Sequence, residues 1–438
     1  MALRRGIASL AAFCACFGAG TAVAADLPLK APPAAAGPSY AWSGFYVGAH
    51  AGYAFSSDKY DFDPAFATAL GLGGVDLFGS RGFSGGFLTG YNVLFGERWL
   101  VGVEADWSWQ DIKSEFTGDP NFVTLNLDTK QDWAASLRAR LGYFVTPGTL
   151  VYGTAGWAWS KVDISVNSFV AAAADSANIN GFQGGVGVET ALTSNLHARL
   201  EYLQTFYDTA HFNDAVSTTI GIAGIRPTVG LARVAAIYQF GQAAPAAASS
   251  AMAAVPSNWT GFYAGGSLGG ALGYGNVHFE GVGDIKGAGV AGPMPSLFVG
   301  YNYQFAPRWL IGAEAEIAPS IKSTDVKLGW LGAVRGRLGY FLMPDTLVYA
   351  TAGWLGTQVD DLVYRNTVVV TGQHINGVQV GGGVEAAFAP QWDLRVDYQY
   401  AVMQRVDLTF PAAVGMVPAT AEPRGHTGRI ALVRRFGG

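Results

Sequence analysis

Two sets of acidic and basic residues recur at matched spacing in this chain. In the first half, Glu104, Asp106, Glu189 and Glu201 accompany Arg138, Arg140, Arg199 and Arg233. In the second half, Glu314, Glu316, Glu385 and Asp397 accompany Arg335, Arg337, Arg395 and Arg429. All sit in segments where polar and apolar residues alternate, so in an extended chain each set faces away from the apolar side. The rigid fork of arginine suits bidentate pairing with carboxylates. Equal numbers of both signs therefore predict a paired network in a confined space. Leaving one member of such a buried pair unpartnered costs about 3 to 5 kcal/mol. Two uses follow, a rigid filling that closes the interior or the lining of a gated pore, and both stand at this point.

Other chemistry finds little support. His50 and His197 share the inward parity, but their counterparts in the second half are Ser267 and Asp393. His211, His278, His374 and His426 are expected in loops or at strand ends. No close His, Asp and Glu spacing of the kind a metal site needs is present. His197 near Glu201 could form a catalytic pair, but a lone lumenal histidine is the simpler reading. Gly184-Gly185-Val186-Gly187 and Gly381-Gly382-Gly383 precede no helix and no Gly-Lys-Ser/Thr, so they are not phosphate loops.

The elements that carry the charges follow from alternation. Trp99, Val101, Val103, Ala105, Trp107 and Trp109 point one way, while Gly102, Glu104, Asp106 and Ser108 point the other. One face suits lipid and the other a polar lumen. The pattern recurs near 44 to 54, 83 to 95, 133 to 144, 150 to 160, 181 to 191, 196 to 204 and 231 to 240, which predicts eight strands. Short turns at 95–98, 146–149 and 192–195 alternate with stretches expected to be long polar loops, at 55–82, 110–132, 161–180 and 205–230. This is the asymmetry of outer-membrane barrels. Trp42, Trp107, Trp109, Trp133, Tyr143, Trp157 and Trp159 are expected in interfacial girdles. Small inward Gly48, Gly102, Gly156, Gly185 and Gly187 are expected to make room for the long charged side chains.

The second half repeats the first. Trp42-Ser43-Gly44-Phe45-Tyr46 returns as Trp259-Thr260-Gly261-Phe262-Tyr263, and Arg138-Ala139-Arg140-Leu141-Gly142-Tyr143 as Arg335-Gly336-Arg337-Leu338-Gly339-Tyr340. A period of about 200 residues is far above the 20 to 50 of solenoid repeats and marks a duplicated domain. An even-stranded barrel returns its chain to the starting side, so an Ala/Pro/Ser linker at 242–258 can feed a second barrel of the same orientation.

Composition sets the compartment. Arg4 and Arg5, an apolar run and Ala22-Val23-Ala24-Ala25 predict a cleaved secretory leader over residues 1–25. It contains both cysteines, Cys14 and Cys16, so the mature chain is expected to hold no disulfide or cysteine metal site. Its loss leaves 25 basic residues against 32 acidic, a net charge of −7 that argues against a nucleic-acid partner. After the leader no apolar run is long enough for a membrane helix.

With these residues in view, Ala25-Asp26-Leu27-Pro28 with Lys30-Ala31-Pro32-Pro33, Trp42-Ser43-Gly44-Phe45-Tyr46-Val47-Gly48, Arg138-Ala139-Arg140-Leu141-Gly142-Tyr143 and Ala155-Gly156-Trp157 resemble the outer-membrane immunogenic and porin-family proteins of alphaproteobacteria. The resemblance runs over 26–438, once per copy. It implies an eight-stranded outer-membrane barrel and an abundant surface antigen supporting the envelope. Porin or haem-binding activity belongs to some members, and no catalytic residues come with the family. This chain departs from the pattern in carrying two copies, in following Phe436 with Gly437 and Gly438, and in placing Arg434 where the first copy has Tyr238.

The expectation is thus an all-β chain of two tandem eight-stranded antiparallel transmembrane barrels. Residues 1–25 form the leader, 26–41 a Pro/Ala-rich segment, 42–241 the first barrel, 242–258 the linker and 259–438 the second barrel. A single sixteen-stranded ring enclosing an aqueous channel is the alternative. The expected role is structural and surface-presenting, without turnover or cofactor, in contact with outer-membrane lipid and with the barrel-assembly machinery during insertion. A channel for small solutes, and ligand binding through the loops, are the other readings.

Overall fold

The computed structural model describes residues 40–62, 77–119, 122–168, 172–213, 222–240, 258–280, 283–319, 326–364, 367–412 and 415–436. The expected leader, residues 26–39, the linker up to residue 257 and Gly437 lie outside them. In chain order the strands of the first half are β1 (Gly44–Phe62), β2 (Leu77–Phe78), β3 (Arg81–Phe95), β4 (Trp99–Asp119), β5 (Phe122–Thr146), β6 (Thr149–Ser168), β7 (Ala172–Ala191), β8 (Leu196–Tyr207), β9 (Ala210–His211) and β10 (Ile222–Gln239). The second half holds β11 (Gly261–Phe279), β12 (Gly283–Pro293), β13 (Ser296–Ala306), β14 (Trp309–Ala318), β15 (Val326–Met343), β16 (Thr346–Tyr364), β17 (Thr367–Ala389), β18 (Trp392–Met403), β19 (Val406–Ala412) and β20 (Gly415–Arg435).

Eight long antiparallel strands close a ring in each half. The first runs β1–β3–β4–β5–β6–β7–β8–β10 and closes where Tyr46 of β1 meets Gln239 of β10 and Gly52 meets Arg233. The second runs β11–β13–β14–β15–β16–β17–β18–β20 and closes where Tyr263 meets Arg435 and Gly269 meets Arg429. Because β10 returns to β1, and β20 to β11, the single sixteen-stranded ring does not form. The remaining strands β2, β9, β12 and β19 lie beyond the rings, and β12 pairs with β4 at Asp284 and Thr117 and with β2 at Ala288 and Phe78.

The expected long loops are largely strand, which corrects the sequence reading. β4 and β5 continue to Asp119 and from Phe122, and β6 and β7 to Ser168 and from Ala172. Alternation does not stop there; its sense reverses. Lower on the strands Trp107, Trp109, Trp157 and Trp159 are exposed outward while Glu104 and Arg138 are buried inward. Higher up, Ile112, Leu127, Val162, Ile164 and Val166 turn inward and are buried. Their outward neighbours form the exposed pairs Lys113–Asp111, Lys130–Asp132 and Lys161–Asp163. Water outside a closed ribbon demands polar outward positions just as lipid demands apolar ones, so the reversal marks the level at which lipid gives way to water. Polar composition alone had made these stretches look like loops.

Short connections close the other end. Gly96 takes the left-handed backbone conformation at φ 66° in the turn between β3 and β4, where a residue without a side chain is unstrained. Gln391 does the same at φ 63° between β17 and β18, after Pro390.

Candidate functional site

The inward positions of the first ring bring all eight expected charges together in one buried network. Glu104 accepts from Arg138 at 2.5 Å, from Arg199 at 2.5 Å and from the Tyr46 hydroxyl at 2.7 Å. Asp106 pairs with Arg138 at 2.7 Å and Arg233 at 3.2 Å. Glu189 accepts from Arg140 at 2.8 Å and from Arg199 at 2.9 Å. Glu201 accepts from Arg233 at 2.5 Å and from the Tyr152 hydroxyl at 2.7 Å. Pairs such as Arg199 with Glu104 span the lumen, which register on the strands alone does not reveal.

The second ring repeats the wiring. Glu314 accepts from Arg335 at 2.6 Å, Arg395 at 2.5 Å and Tyr263 at 2.9 Å. Glu316 pairs with Arg335 and with Arg429. Glu385 pairs with Arg337 at 2.7 Å and Arg395 at 2.9 Å, and Asp397 with Arg429 at 2.5 Å and Tyr349 at 3.0 Å. Four positive and four negative groups balance in each network. Packed at this density in a ring just wide enough for its own side chains, they fill the interior and hold one another in place.

Sequence reading had not included the four tyrosines, although they share the inward parity and recur in both copies. Each packs its ring over the glycine it pairs with on the adjacent strand. A side-chain carbon added to Gly90 or Gly187 would fall 2.4 Å from the hydroxyl oxygen of Tyr46 or Tyr152. Of the glycines expected to make room, Gly102 sits beside Arg140, whereas Gly48 and Gly185 lie against apolar Ile237 and Leu203.

Both lumens are stoppered at the end of the short turns. Trp42 is buried with Leu100, Phe144, Leu150 and Tyr152, and its indole donates to Pro147 O at 3.2 Å. Its expected place in an interfacial girdle is therefore corrected: the ring lies inside the barrel, because the chain turns inward before β1 begins. Trp259 does the same among Leu310, Phe341 and Leu347, donating to Pro344 O at 3.1 Å. Toward the other end of the first barrel, Ala54, Ile112, Ala158, Val162, Ile179 and Leu203 form an apolar plug above the charges.

Two of the histidines depart from their expected settings, a lone lumenal place for His197 and a loop or strand end for His426. His197 pairs through Nδ1 with Glu189 at 2.9 Å, not with Glu201, and lies 4.3 Å from the Trp42 ring. Its counterpart Asp393 pairs with Arg435 at 2.9 Å, and that guanidinium lies 4.6 Å over the Trp259 ring. His50 contacts the Ser108 hydroxyl at 3.3 Å. His426, expected at a loop or strand end, is buried within β20. Among the described residues no group of three His, Cys, Asp or Glu is placed to hold a metal.

A family model described as the outer membrane protein beta-barrel domain matches residues 12–223 and again 242–436. The chain belongs to that outer-membrane β-barrel family. It is 32% identical over 206 residues to the 31 kDa outer-membrane immunogenic protein of Brucella melitensis, covering 45% of this chain and 85% of that protein. It is 31% identical over 182 residues to a 22 kDa outer membrane protein of Rhizobium leguminosarum, covering 40% of this chain and 69% of that protein. The 25 kDa outer-membrane immunogenic protein of Brucella abortus matches at 29% identity over 205 residues, or 46% and 83% of the two chains. Each relative thus spans about one barrel's worth of this outer-membrane β-barrel protein, which carries two.

Exposed Phe87, Val101, Val103 and Leu141 on the first barrel, and Val299, Ile311, Val334 and Leu338 on the second, form the lipid-facing surface that the family requires. Arg434, the one charge expected on that surface, is exposed beside Trp392 and Phe436, with its guanidinium 5.4 Å from the Trp392 ring. That is the interfacial level at which a long cation reaches water.

Proposed function

We propose that this protein is a structural, surface-presenting component of the outer membrane whose lumens do not conduct and which performs no catalytic turnover. The observation that carries the reading is the mutual pairing of the eight central charges inside each ring, with Trp42 or Trp259 closing one end. An aqueous path would need those groups hydrated, yet Glu104, Glu189, Arg138, Arg199 and Arg233 are each at most 2% exposed. The immunogenic relatives support a surface-antigen role, presented on the ribbons that rise above the lipid level. Export through a cleaved leader and insertion by the barrel-assembly machinery complete the proposal.

Purified protein reconstituted into planar bilayers is expected to give no conductance steps above background. Reproducible steps that vanish on heat denaturation of the protein would replace this reading with the small-solute channel.

A further inference from the structure

The outward surfaces of the two barrels are not alike all round. Over one sector of each, positions that face lipid elsewhere are buried, and Val151, Val188, Val384, Ala386 and Val396 form one cluster with Leu200 and Val348. Three pairs within it are a single repeat position taken twice: Val151 and Val348, Val188 and Val384, Leu200 and Val396. Thr149 and Thr346 are also equivalent, and their hydroxyls meet at 2.9 Å near the short turns. At the opposite end the Phe55 ring stacks on His426, with centroids 4.4 Å apart. The equivalents of these two residues, Leu272 and Gly230, meet as well, since a side-chain carbon on Gly230 would lie 3.1 Å from Leu272 Cδ1. The equivalent pair Tyr202 and Tyr398 flanks Phe55 at 6.3 and 6.4 Å.

A position that touches its own counterpart, together with reciprocal contacts on either side, is the signature of a twofold axis. Here the axis passes between Thr149 and Thr346 and runs along the barrels, because short turns meet short turns and outer ends meet outer ends. We propose that this face is an isologous dimer interface carried within one chain, and that it selects the sister repeat over a second copy of itself.

The selection lies where the symmetry is broken. In the sister pairing His426, held within its own repeat by the Tyr398 hydroxyl and the Tyr274 and Tyr400 rings, stacks on Phe55 and Tyr53 of the first repeat, while Leu272 fills the space left by Gly230. Two first repeats would set each Phe55 against a bare Gly230. Two second repeats would set each His426 against Leu272 and lose both stacks. Lipid supplies no hydrophobic drive between the barrels within the membrane, so packing contacts such as these, made at the outer end, decide the pairing.

A cysteine at the axis reports both halves of the proposal in the full chain, with Cys14 and Cys16 replaced by Ala and a protease site placed in 242–257. In oxidised outer membranes, the Thr149→Cys/Thr346→Cys protein is expected to stay as one species after cleavage until reductant is added. Val103→Cys/Ile311→Cys, outward but away from this face, is expected to fall apart at once, and all variants should keep the heat-dependent gel mobility of folded barrels. Separation of the Thr149→Cys/Thr346→Cys halves to the same extent as this control would overturn the interface. Thr149→Cys alone and Thr346→Cys alone are expected to give no chain-to-chain disulfide, and such a dimer from either would overturn the selection.

Discussion

The two lumens carry the same eight-charge wiring with one methylene group moved. In the first barrel Arg233 bridges the shorter Asp106 and the longer Glu201. In the second, Arg429 bridges the longer Glu316 and the shorter Asp397. The long acid has changed ends, and the span across the guanidinium is preserved. In both lumens the guanidinium thus sits between one long acid and one short acid. The stoppered ends differ further, with His197 and Glu189 under Trp42 but Asp393 and Arg435 under Trp259. Balanced charge can evidently be rebuilt from different residues where only neutrality and volume are fixed.

The comparison breaks most visibly at its shared centre. Glu104→Ala in the first barrel, or Glu314→Ala in the second, removes the acceptor for two arginines and a tyrosine, and should cost its own barrel about 3 to 5 kcal/mol. Urea titration of the detergent-folded protein, read by loss of the folded gel mobility, is expected to show this cost, and equal stability to wild type would mean the network bears little weight. A smaller effect sharpens the methylene exchange. Asp106→Glu and Glu201→Asp should each destabilise by about 1 kcal/mol, while the double variant recovers most of the loss, a coupling in the usual range for residues sharing a partner. Additive losses in the same titration would show that the two ends are independent. The smallest effect belongs outside the lumen: Asp111→Asn, which removes the partner of Lys113 on the exposed ribbon, should shift stability by less than about 1 kcal/mol, and less still in high salt.

Parity along the strands was enough to put the sixteen charges of the two networks on the inward face, because a period of two admits only two faces and lipid claims one of them, but it passed over buried Asp58 and the Asp393–Arg435 pair. It could not say which arginine meets which acid. Arg199 reaches Glu104 across the ring, and that contact depends on how many strands close and how they tilt. The ribbons were misread because Asp111, Lys113, Lys161 and Asp163 look like loop residues when composition is weighed, while the inward Ile112, Val162 and Ile164 keep strict alternation. Trp42 was misplaced for a different reason: indole suits both an interfacial girdle and a lumen stopper, and only the inward path of residues 40–43 separates the two. The interface between barrels left no sign that either copy could show alone, since Val151 and Val348 look lipid-facing until the partner is present.

The reversal of polarity along β4 to β7 also acts as a waterline. From Trp99 to Trp109 the outward face is apolar, and at the rise and tilt usual for barrel strands this climbs about 25 Å. Just above it stand Asp111 and Lys113, and just below it Arg98 begins the short turn. A barrel so marked has a single draught: a thicker bilayer would have to thin around it or bury its charges in lipid, whereas a thinner one would leave tryptophans standing in water. The protein is thereby matched to a narrow range of membrane thickness, and each ångström of mismatch costs a fraction of a kcal/mol.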